Sequence, residues 1–323
     1  MQAFYTDEFV LPLPQGHRFP MQKYRMLRDK VAQRLPEVDL AVPPPATDGQ
    51  LALAHCPKYV ARVVDGLLSA DEQKAIGFPW SVAMVERSRR SVGATIAAVR
   101  SAMQHGASVN LAGGTHHAMH NSGAGFCVFN DLVVAARVFQ TDSLAAGRGR
   151  QRLPQVLVID LDVHQGDGTA AIASGDPSIF TFSMHGEQNF PFTKMTSDLD
   201  IALPSQTGDE DYLKALEKAL ASIAQQVQPQ LVLYVAGLDV HQGDRLGRLN
   251  LSDEGIQVRD NMVLSWSAKR SLPVVAVMAG GYFQDLEHLT DLQLGVVARM
   301  AEYGAGLHAS IIHQNSQLTG GNP

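Results

Sequence analysis

The 323-residue sequence has few cysteines, few charged residues and no long apolar run. Two cysteines, Cys56 and Cys127, cannot form a disulfide framework, so we expect reduced thiols and a cytoplasmic protein. No apolar stretch approaches the roughly 18 residues of a membrane span. The N-terminal residues also lack the basic and apolar regions of a secretion signal. The formal charge of −6 argues against direct binding to nucleic acid or to an anionic membrane.

The rest of the composition is typical of a globular protein with a large core. Hydrophobic residues make up 45% of the chain and charged residues 18%. No polar stretch is long enough to separate two domains. We therefore expect one domain over residues 1–313, followed by a flexible C-terminal tail at 314–323.

Five short apolar runs, rich in β-branched residues, each end in Gly, Asp or His. Nearly every position in them is apolar, which predicts strands that are buried on both faces of a parallel sheet. The runs are Val109–Ala112, Val156–Leu161, Ile179–Met184, Leu231–Ala236 and Val274–Ala279. Helical periodicity appears between them, over Met84–Met103 and Asp209–Val227. The alternation predicts an α/β sandwich of helices, sheet and helices.

Polar clusters follow four of these runs, at the sheet edge where α/β proteins bind ligands. Asp160, Asp162 and His164 alternate along the chain and so point the same way. A similar segment, DVHQGDR at Asp239–Arg245, follows another run. Carboxylates with an imidazole suit Zn²⁺ or Fe²⁺. Because a catalytic ion keeps one position open, we expect Asp160 beside the ligands rather than on the ion.

A histidine pair and a tyrosine follow two further runs. Histidine serves as base or acid near neutral pH, which suits His116 and His117. Each imidazole needs a carboxylate to fix its tautomer, and Asp160 and Asp167 are available. Tyr282 could donate a hydrogen bond to a carbonyl as negative charge develops. The alternative for Tyr282 is a turn residue with a solvated hydroxyl.

At these residues the sequence resembles the histone deacetylase family, most closely its class IV branch and bacterial relatives. The shared motifs appear in the family's order and at similar separations, and they cover nearly the whole chain. They are AHCPKYV (Ala54–Val60), GGTHHA (Gly113–Ala118), GFCVFND (Gly125–Asp131), VIDLDVHQGDGT (Val158–Thr169), GLDVHQGDRLG (Gly237–Gly247) and AGGY (Ala279–Tyr282). The resemblance implies the arginase/deacetylase fold, which is a single three-layer α/β/α domain with a mostly parallel sheet of about eight strands.

The resemblance also implies a set of ions and substrate contacts. Zn²⁺ would be bound by Asp162, His164 and Asp239. Gly125 and Phe126 would line one wall of a narrow substrate channel, and Phe190 the other. A structural potassium ion is expected near a group that partly overlaps the zinc ligands, namely Asp160, Asp162, His164, Ser183 and Met184.

The catalytic roles implied by the resemblance use the histidine pair and the tyrosine. The pair becomes the general base and acid, with His116 backed by Asp160 and His117 by Asp167. Tyr282 would polarise the scissile carbonyl. His241 lies within the second DVHQGD segment, and we expect it near the site but not on the metal.

The expected activity is zinc-dependent hydrolysis of N-acyl-lysine, acetyl or longer, in proteins or peptides. Three alternatives remain. The first is a deacetylase of small acylated amines such as acetylpolyamines. An arginase-like ureohydrolase is disfavoured, because the second segment supplies one clear ligand where two metals need more. The third is a non-catalytic acyl-lysine binding module, which would usually have lost a ligand or Tyr282. The sequence leaves the oligomeric state open.

Overall fold

The computed structural model describes residues 1–14, 16–147 and 152–319, with side chains as far as residue 307. The described residues form eight strands: β1 (Gln2–Phe4), β2 (Asp39–Ala41), β3 (Ala107–Asn110), β4 (Val156–Asp160), β5 (Ile179–Gly186), β6 (Leu199–Leu203), β7 (Leu231–Val235) and β8 (Val274–Val277). They make one sheet in the order β2-β1-β3-β8-β7-β4-β5-β6, and every neighbouring pair is parallel. The expected α/β fold with about eight parallel strands is confirmed.

Within the described part of the chain, ten helices connect or flank the strands. They are α1 (Gln22–Arg34), α2 (Asp48–Leu51), α3 (Pro57–Val64), α4 (Ala70–Ile76), α5 (Val82–His105), α6 (Asp131–Ala145), α7 (Asp167–Ala173), α8 (Asp209–Gln226), α9 (Asp253–Ala268) and α10 (Leu286–Thr319). The helices predicted over Met84–Met103 and Asp209–Val227 correspond to α5 and α8. Within the described residues, no helix combines the length and the apolar character needed to cross a membrane.

Of the eight strands in the described residues, four agree with predicted apolar runs, a fifth is displaced from its run, and three were not predicted. The run at Val109–Ala112 is displaced, because β3 ends at Asn110 and the next two residues are buried beyond its end. β1 and β2 have three residues each, too few for a pattern. β6 lies at the sheet edge, where its residues alternate between half-buried and exposed.

The two faces of the sheet pack into separate apolar clusters. Leu157 and Ile159 of β4 pack with residues of α1, α8, α9 and α10. Val156 and Val158 of the same strand pack with residues of α3, α5 and α6. Successive side chains of a strand point to opposite faces, so helices cover both sides. The three-layer arrangement is confirmed.

Cap residues fix the ends of α5, the long helix that crosses one face. The Ser81 hydroxyl accepts a hydrogen bond from the Met84 amide and so satisfies a free N–H in the first turn. Gly106 ends the helix in the left-handed conformation, with φ of 81°. β3 follows at once, so the helix end sets where this strand begins.

The C-terminal helix α10 runs to Thr319. It therefore includes the first residues of the predicted tail at 314–323, while residues 320–323 lie outside the described part. The division between a domain at 1–313 and a tail stays a prediction.

The sheet order brings the predicted polar clusters together. β3, β8, β7 and β4 are consecutive neighbours. Because all four are parallel, the segments after them leave the sheet at the same edge. Asp160 is level with Val235 of β7, so the two DVHQGD segments begin side by side.

Candidate active site

Three ligand atoms of the predicted metal site face one another at the sheet edge where β4 and β7 end. The Nδ1 atom of His164 lies 2.9 Å from Oδ1 of Asp162 and 3.1 Å from Oδ2 of Asp239. All three atoms lie within 4.8 Å of one another. The carboxylates are held by backbone amides, since Val163 N–H donates to Asp239 and Gly280 N–H to Asp162, each at 2.9 Å. Both carboxylates are buried.

The chemistry of this donor set fits a divalent cation of borderline hardness. Burial and the neighbouring charge of Asp162 raise the pKa of Asp239, so the bare carboxylate pair is electrostatically unfavourable. A positive ion between them would remove that repulsion. Gly280 keeps the space beside the carboxylates open, because a Cβ atom there would lie 1.8 Å from Oδ2 of Asp239.

Each histidine of the pair points one ring nitrogen at a buried carboxylate. Nδ1 of His116 is 2.7 Å from Oδ2 of Asp160, and Nδ1 of His117 is 2.6 Å from Oδ1 of Asp167. The two rings lie 4.2 Å apart between centroids. When Nδ1 donates to a carboxylate, the neutral imidazole keeps a lone pair on Nε2. Both histidines line the cavity described below.

The two histidines differ in basicity. Burial and the neighbouring His116 lower the pKa of His117 to about 4. Burial also lowers the pKa of His116, but the charges of Asp160 and Asp162 outweigh it and raise this pKa to about 9. The surroundings therefore favour a neutral His117 beside a protonated His116 at neutral pH.

The loop that carries the histidine pair is anchored by Asp131, the first residue of α6. Its carboxylate accepts hydrogen bonds from the Gly114 amide at 3.0 Å and from the Thr115 amide at 2.7 Å. The hydroxyls of Thr115 and Thr95 also donate to it, at 2.7 and 2.6 Å. We did not assign this residue a role from the sequence, although it closes the GFCVFND motif.

The second DVHQGD segment holds the backbone of Tyr282. The Tyr282 amide donates to Oδ2 of Asp244 at 2.5 Å, and Nε of Arg245 donates to the Tyr282 carbonyl at 2.7 Å. Burial raises the pKa of Tyr282 well above 10, so its phenol stays protonated and able to donate. The alternative of a solvated turn tyrosine does not fit a residue that is 8% exposed.

Lys23 of α1 supports the same segment from the other side and was missed in the sequence. Its ammonium is buried and donates to the carbonyls of Ala279 and Gly281, each at 3.2 Å. The nitrogen also lies 5.4 Å from the centre of the Tyr282 ring. Because these partners lie more than 250 positions apart in the chain, no local sequence pattern indicates the contact.

A cavity of about 480 Å³ contains the histidines, Tyr282 and two of the three metal-site residues. The Gly125 backbone lies against the His117 ring, since a Cβ atom there would be 2.5 Å from the ring carbon Cδ2. The Phe190 ring packs edge-on to His117 at 4.9 Å, and the Phe126 ring lies 6.0 Å from that of Tyr282. The structure thus brings all three residues predicted to line the channel to its walls.

The residues expected around potassium meet on neighbouring strands. Asp160 of β4 is level with Ser183 of β5, and Met184 follows it. All three are buried. The Ser183 hydroxyl lies 3.0 Å from Nδ1 of His185. The ion itself stays a prediction.

His241 belongs to a separate group with Asp253 and His288. Its Nδ1 accepts a hydrogen bond from the Gly243 amide, and its Nε2 lies 2.9 Å from Oδ1 of Asp253. A neutral ring that accepts at Nδ1 carries its proton on Nε2, which therefore donates to the carboxylate. His241 is therefore placed with Asp253 and His288, whose ligand atoms also lie within 4.8 Å of one another, and not among the three residues of the predicted metal site.

The profile of the histone deacetylase domain matches residues 17–297, which is most of the chain. The chain belongs to the histone deacetylase family. This membership makes it a hydrolase of the deacetylase class, as expected from the motifs. The strand-end residues described above all lie inside the matched range.

The chain is similar to proteins of bacteria and plants. It is 42% identical over 287 residues to an uncharacterized protein of Picosynechococcus sp., a match that covers 88% of this chain and 93% of that one. It is 33% identical over 199 residues to Histone deacetylase 2 of Arabidopsis thaliana, with 61% and 49% covered. Acetoin utilization protein AcuC of Bacillus subtilis is 29% identical over 260 residues, with 73% and 65% covered.

Solved structures of the family share the fold. The chain superposes on an HDAC homolog from Aquifex aeolicus with a TM-score of 0.78 and 23% identity, covering 94% of this chain and 83% of that one. The HD domain of HDA15 gives a TM-score of 0.76 at 20% identity, covering 98% and 96%. The α/β architecture is therefore that of the family.

Proposed function

We propose that the chain hydrolyses the amide bond of N-acyl-lysine, acetyl or longer, in proteins or peptides. One observation carries the proposal. Two carboxylate-backed histidines and the buried Tyr282 line the same cavity as Asp162 and His164, whose ligand atoms lie within 4.8 Å of that of Asp239. Deacetylation needs a base, an acid, a carbonyl-polarising donor and an electrophilic ion, and this group of residues provides or could hold each of them.

Asp162, His164 and Asp239 would hold the ion, Zn²⁺ or alternatively Fe²⁺. When bound, such an ion polarises a carbonyl and lowers the pKa of water beside it. We also propose a structural K⁺ at the residues that meet on β4, β5 and the loop after β4, namely Asp160, Asp162, His164, Ser183 and Met184.

The proton transfers would be divided between the histidines. Nε2 of His117 accepts the proton of the attacking water, while Asp167 holds the ring in the correct tautomer. His116, whose Nδ1 lies 2.7 Å from Oδ2 of Asp160, donates a proton to the leaving amine. The Tyr282 hydroxyl donates to the carbonyl oxygen as negative charge develops on it. The products are a carboxylate and the free lysine amine.

The charges around the cavity favour acyl-lysine in peptides over acetylpolyamines, the alternative small substrates. Its lining includes the exposed cations Arg18, Lys74 and Arg248. Among the described lining residues, Asp162 is the one carboxylate, and it belongs to the proposed metal site. A polyamine keeps other ammonium groups after acetylation, and these cations would repel them.

Two further proposals concern the binding-module alternative and the location of the protein. A non-catalytic binding module is disfavoured, because the proposed metal ligands and Tyr282 are all retained. We also infer a cytoplasmic enzyme, since Cys56 and Cys127 are both free thiols.

The test is a panel of acetyl-, trifluoroacetyl- and long-chain acyl-lysine peptides, with acetylated polyamines alongside. The protein is loaded with Zn²⁺, and amine release is measured. We expect amine release from at least one acyl-lysine peptide at a higher kcat/KM than from any polyamine. Hydrolysis of polyamines alone would favour the small-amine alternative, and no hydrolysis with metal bound would favour the binding module.

A further inference from the structure

The exposed opening of the cavity carries three cations and one aromatic ring. Arg18, Lys74, Phe192 and Arg248 all line the cavity, and all four are exposed. We call these four residues the mouth of the cavity. They come from four separate segments of the chain, so the fold rather than the local sequence brings them to one opening.

Two of the cations lie on the wall formed by Phe126. The Phe126 amide donates at 2.7 Å to a carbonyl in the last turn of α4, the helix that carries Lys74. Nε2 of His17 donates to the Gly77 carbonyl at 2.9 Å, which ties the residue before Arg18 to the end of the same helix. The backbone of both cations is therefore held beside the substrate channel.

The third cation lies on the other wall, which contains Phe190. Nη1 of Arg248 donates to the side-chain oxygen of Gln188 at 3.2 Å, two residues before Phe190. Gln188 also lines the cavity. Both walls of the channel therefore present positive charge at the opening.

The aromatic ring of the mouth is held away from the core. Phe192 is 84% exposed, more than any other large hydrophobic side chain in the described residues. Its ring lies edge-on to that of Phe190, 6.4 Å away. The Lys194 ammonium supports this loop by donating to the carbonyls of Asn189 and Pro191, each at 2.6 Å. An exposed ring at the opening suits packing against a bound chain, since aromatic residues are enriched at protein interfaces.

The charge of the mouth is not balanced locally. Its three cations form no ion pair within the part of the chain that the structure describes. Asp71 of α4 and Glu187 of the loop after β5 are exposed, but neither lines the cavity. Asp162, the one carboxylate among the described lining residues, is buried. In a chain with a formal charge of −6, positive charge is thus concentrated at this opening, where it attracts an acidic segment.

We propose that the mouth binds an extended peptide segment in which acidic residues flank the acyl-lysine. This inference rests on the proposed function, because the acyl-lysine side chain enters the cavity while its neighbours stay at the opening. In an extended chain, the residues two positions before and after the lysine point the same way as the lysine does. Their carboxylates then meet the cations of the two walls, and Phe192 packs against the same segment.

The first experiment uses three acetyl-lysine peptides that carry Glu, Gln or Lys at both of these flanking positions. We expect kcat/KM to fall in that order, with the Glu peptide about threefold to tenfold above the Gln peptide, as for exposed charge pairs. The Glu-to-Gln ratio should approach one when the salt concentration is raised from about 0.1 M to about 1 M, which shortens the Debye length from about 10 Å to about 3 Å. Equal kcat/KM for the Glu and Gln peptides would overturn the proposal.

The second experiment removes the cations of the mouth. The triple variant Arg18→Gln, Lys74→Gln and Arg248→Gln should lower the Glu-to-Gln ratio of kcat/KM to about one, because the charge pairs that distinguish the two peptides are lost. Circular dichroism checks that the variant folds. A ratio that stays at the wild-type value would contradict recognition by these cations.

The matched control removes the same charge elsewhere. Lys214, Lys218 and Lys269 are exposed, and none of them lines the cavity. Their triple replacement by Gln should keep the wild-type Glu-to-Gln ratio. An equal fall in both triple variants would show that the net charge of the molecule decides the preference, and the mouth would then have no role of its own.

A third measurement tests whether the occupant is a peptide segment. We expect the Gln peptide to have a lower KM than N-acetyl-lysine methylamide, which has no flanking residues. Phe192→Ala should reduce this difference by about twofold or more, as loss of an aromatic contact does. Equal KM values for the peptide and the methylamide in the wild-type protein would contradict a peptide segment as the occupant.

Peptide binding separates this inference from the proposed function. If none of the peptides is hydrolysed, the proposed function fails, and fluorescence anisotropy then measures the binding of the same labelled peptides without turnover. Tighter binding of the Glu peptide that disappears in the triple variant of the mouth still supports the acidic-peptide surface. Equal binding of the Glu and Gln peptides contradicts it.

Discussion

The proposed role of Tyr282 depends on the burial of its side chain. Its pKa is raised well above 10, so the phenol is a hydrogen-bond donor at every working pH. We expect Tyr282→Phe to lower kcat by roughly 10²–10³-fold, as loss of one donor to a developing oxyanion does. Steady-state kinetics measure this, with metal content and the free energy of unfolding as controls. Full activity in the variant would remove the hydroxyl from the mechanism.

The sequence alone predicts those residues of the candidate site that directly follow a strand. The histidine pair, the proposed metal ligands and Tyr282 all follow apolar runs, which makes them visible without coordinates. Lys23 could not be found in this way. It lies on a helix far along the chain from the segment it contacts, and a helical Lys is usually solvated.

Among the secondary-structure elements, α6 affects the site through its first residue, Asp131. The Asp131 carboxylate accepts hydrogen bonds from the amides of Gly114 and Thr115 and from two hydroxyls. We expect Asp131→Asn to lower the free energy of unfolding by about 2–3 kcal/mol, because one oxygen becomes a donor facing other donors. It should also lower kcat, since the loop carries both histidines.

The matched control for this prediction is Asp142→Asn, on the same helix. Asp142 pairs with Arg100 at 2.8 Å on an exposed surface, so its loss should cost about 0–1 kcal/mol. Urea unfolding of both variants gives the comparison. Equal destabilisation would show that the bonds of Asp131 contribute nothing beyond a surface carboxylate.

His55 links the segment before α3 to the same region. Its Nδ1 donates to the Met119 carbonyl at 2.9 Å, and its Nε2 accepts from the Asn130 amide at 2.8 Å. Burial lowers its pKa to about 4, from 6.5 when unfolded. The unfolded chain thus binds the proton more readily, so this contribution to stability is complete above pH 6.5 and falls as the pH drops toward 4.

This linkage predicts the slope of stability with pH. Between pH 6 and pH 4.5 the free energy of unfolding should decrease by up to roughly 1.4 kcal/mol per pH unit from this group. His55→Gln keeps a donor and an acceptor but does not titrate, so its curve should be flatter than that of the wild type. Parallel curves for the two proteins would contradict the assignment.

The strands that could not be predicted from the sequence lie toward the two edges of the sheet. Central strands are apolar at nearly every position and were predicted nearly in place. β1 and β2 are too short for a pattern, and β6 alternates half-buried with exposed residues. Their positions follow from parallel pairing with strands far along the chain, which is a tertiary effect.

At the scale of the whole molecule, the sheet order makes the site. Residues from β3, β4, β7 and β8 meet because these strands are consecutive neighbours. An ion held by Asp162 and Asp239 would therefore link segments from two strands and stabilise the fold. With zinc at about 100 times its dissociation constant, we expect the free energy of unfolding to rise by about 2.7 kcal/mol.

Variants test where this stabilisation arises. The two ligand variants, Asp162→Asn and Asp239→Asn, should lose both the bound zinc and the zinc-induced rise in the free energy of unfolding. Asp253→Asn removes the same charge from the separate group around His241 and should keep both. If the zinc-induced rise in the free energy of unfolding disappears in Asp253→Asn but persists in the two ligand variants, the ion binds at the group around His241 instead.

The activity proposed for the whole molecule is metal-dependent deacylation at this cavity. The most direct measurement is the release of acetate and amine from an acetyl-lysine peptide by metal-stripped protein, before and after zinc is added. We predict that wild type regains activity with one equivalent of zinc, releases both products in equal amounts, and that Asp239→Asn does not respond. Amine release that is equal with and without metal, or unaffected in Asp239→Asn, would rule out metal-dependent deacylation at this site.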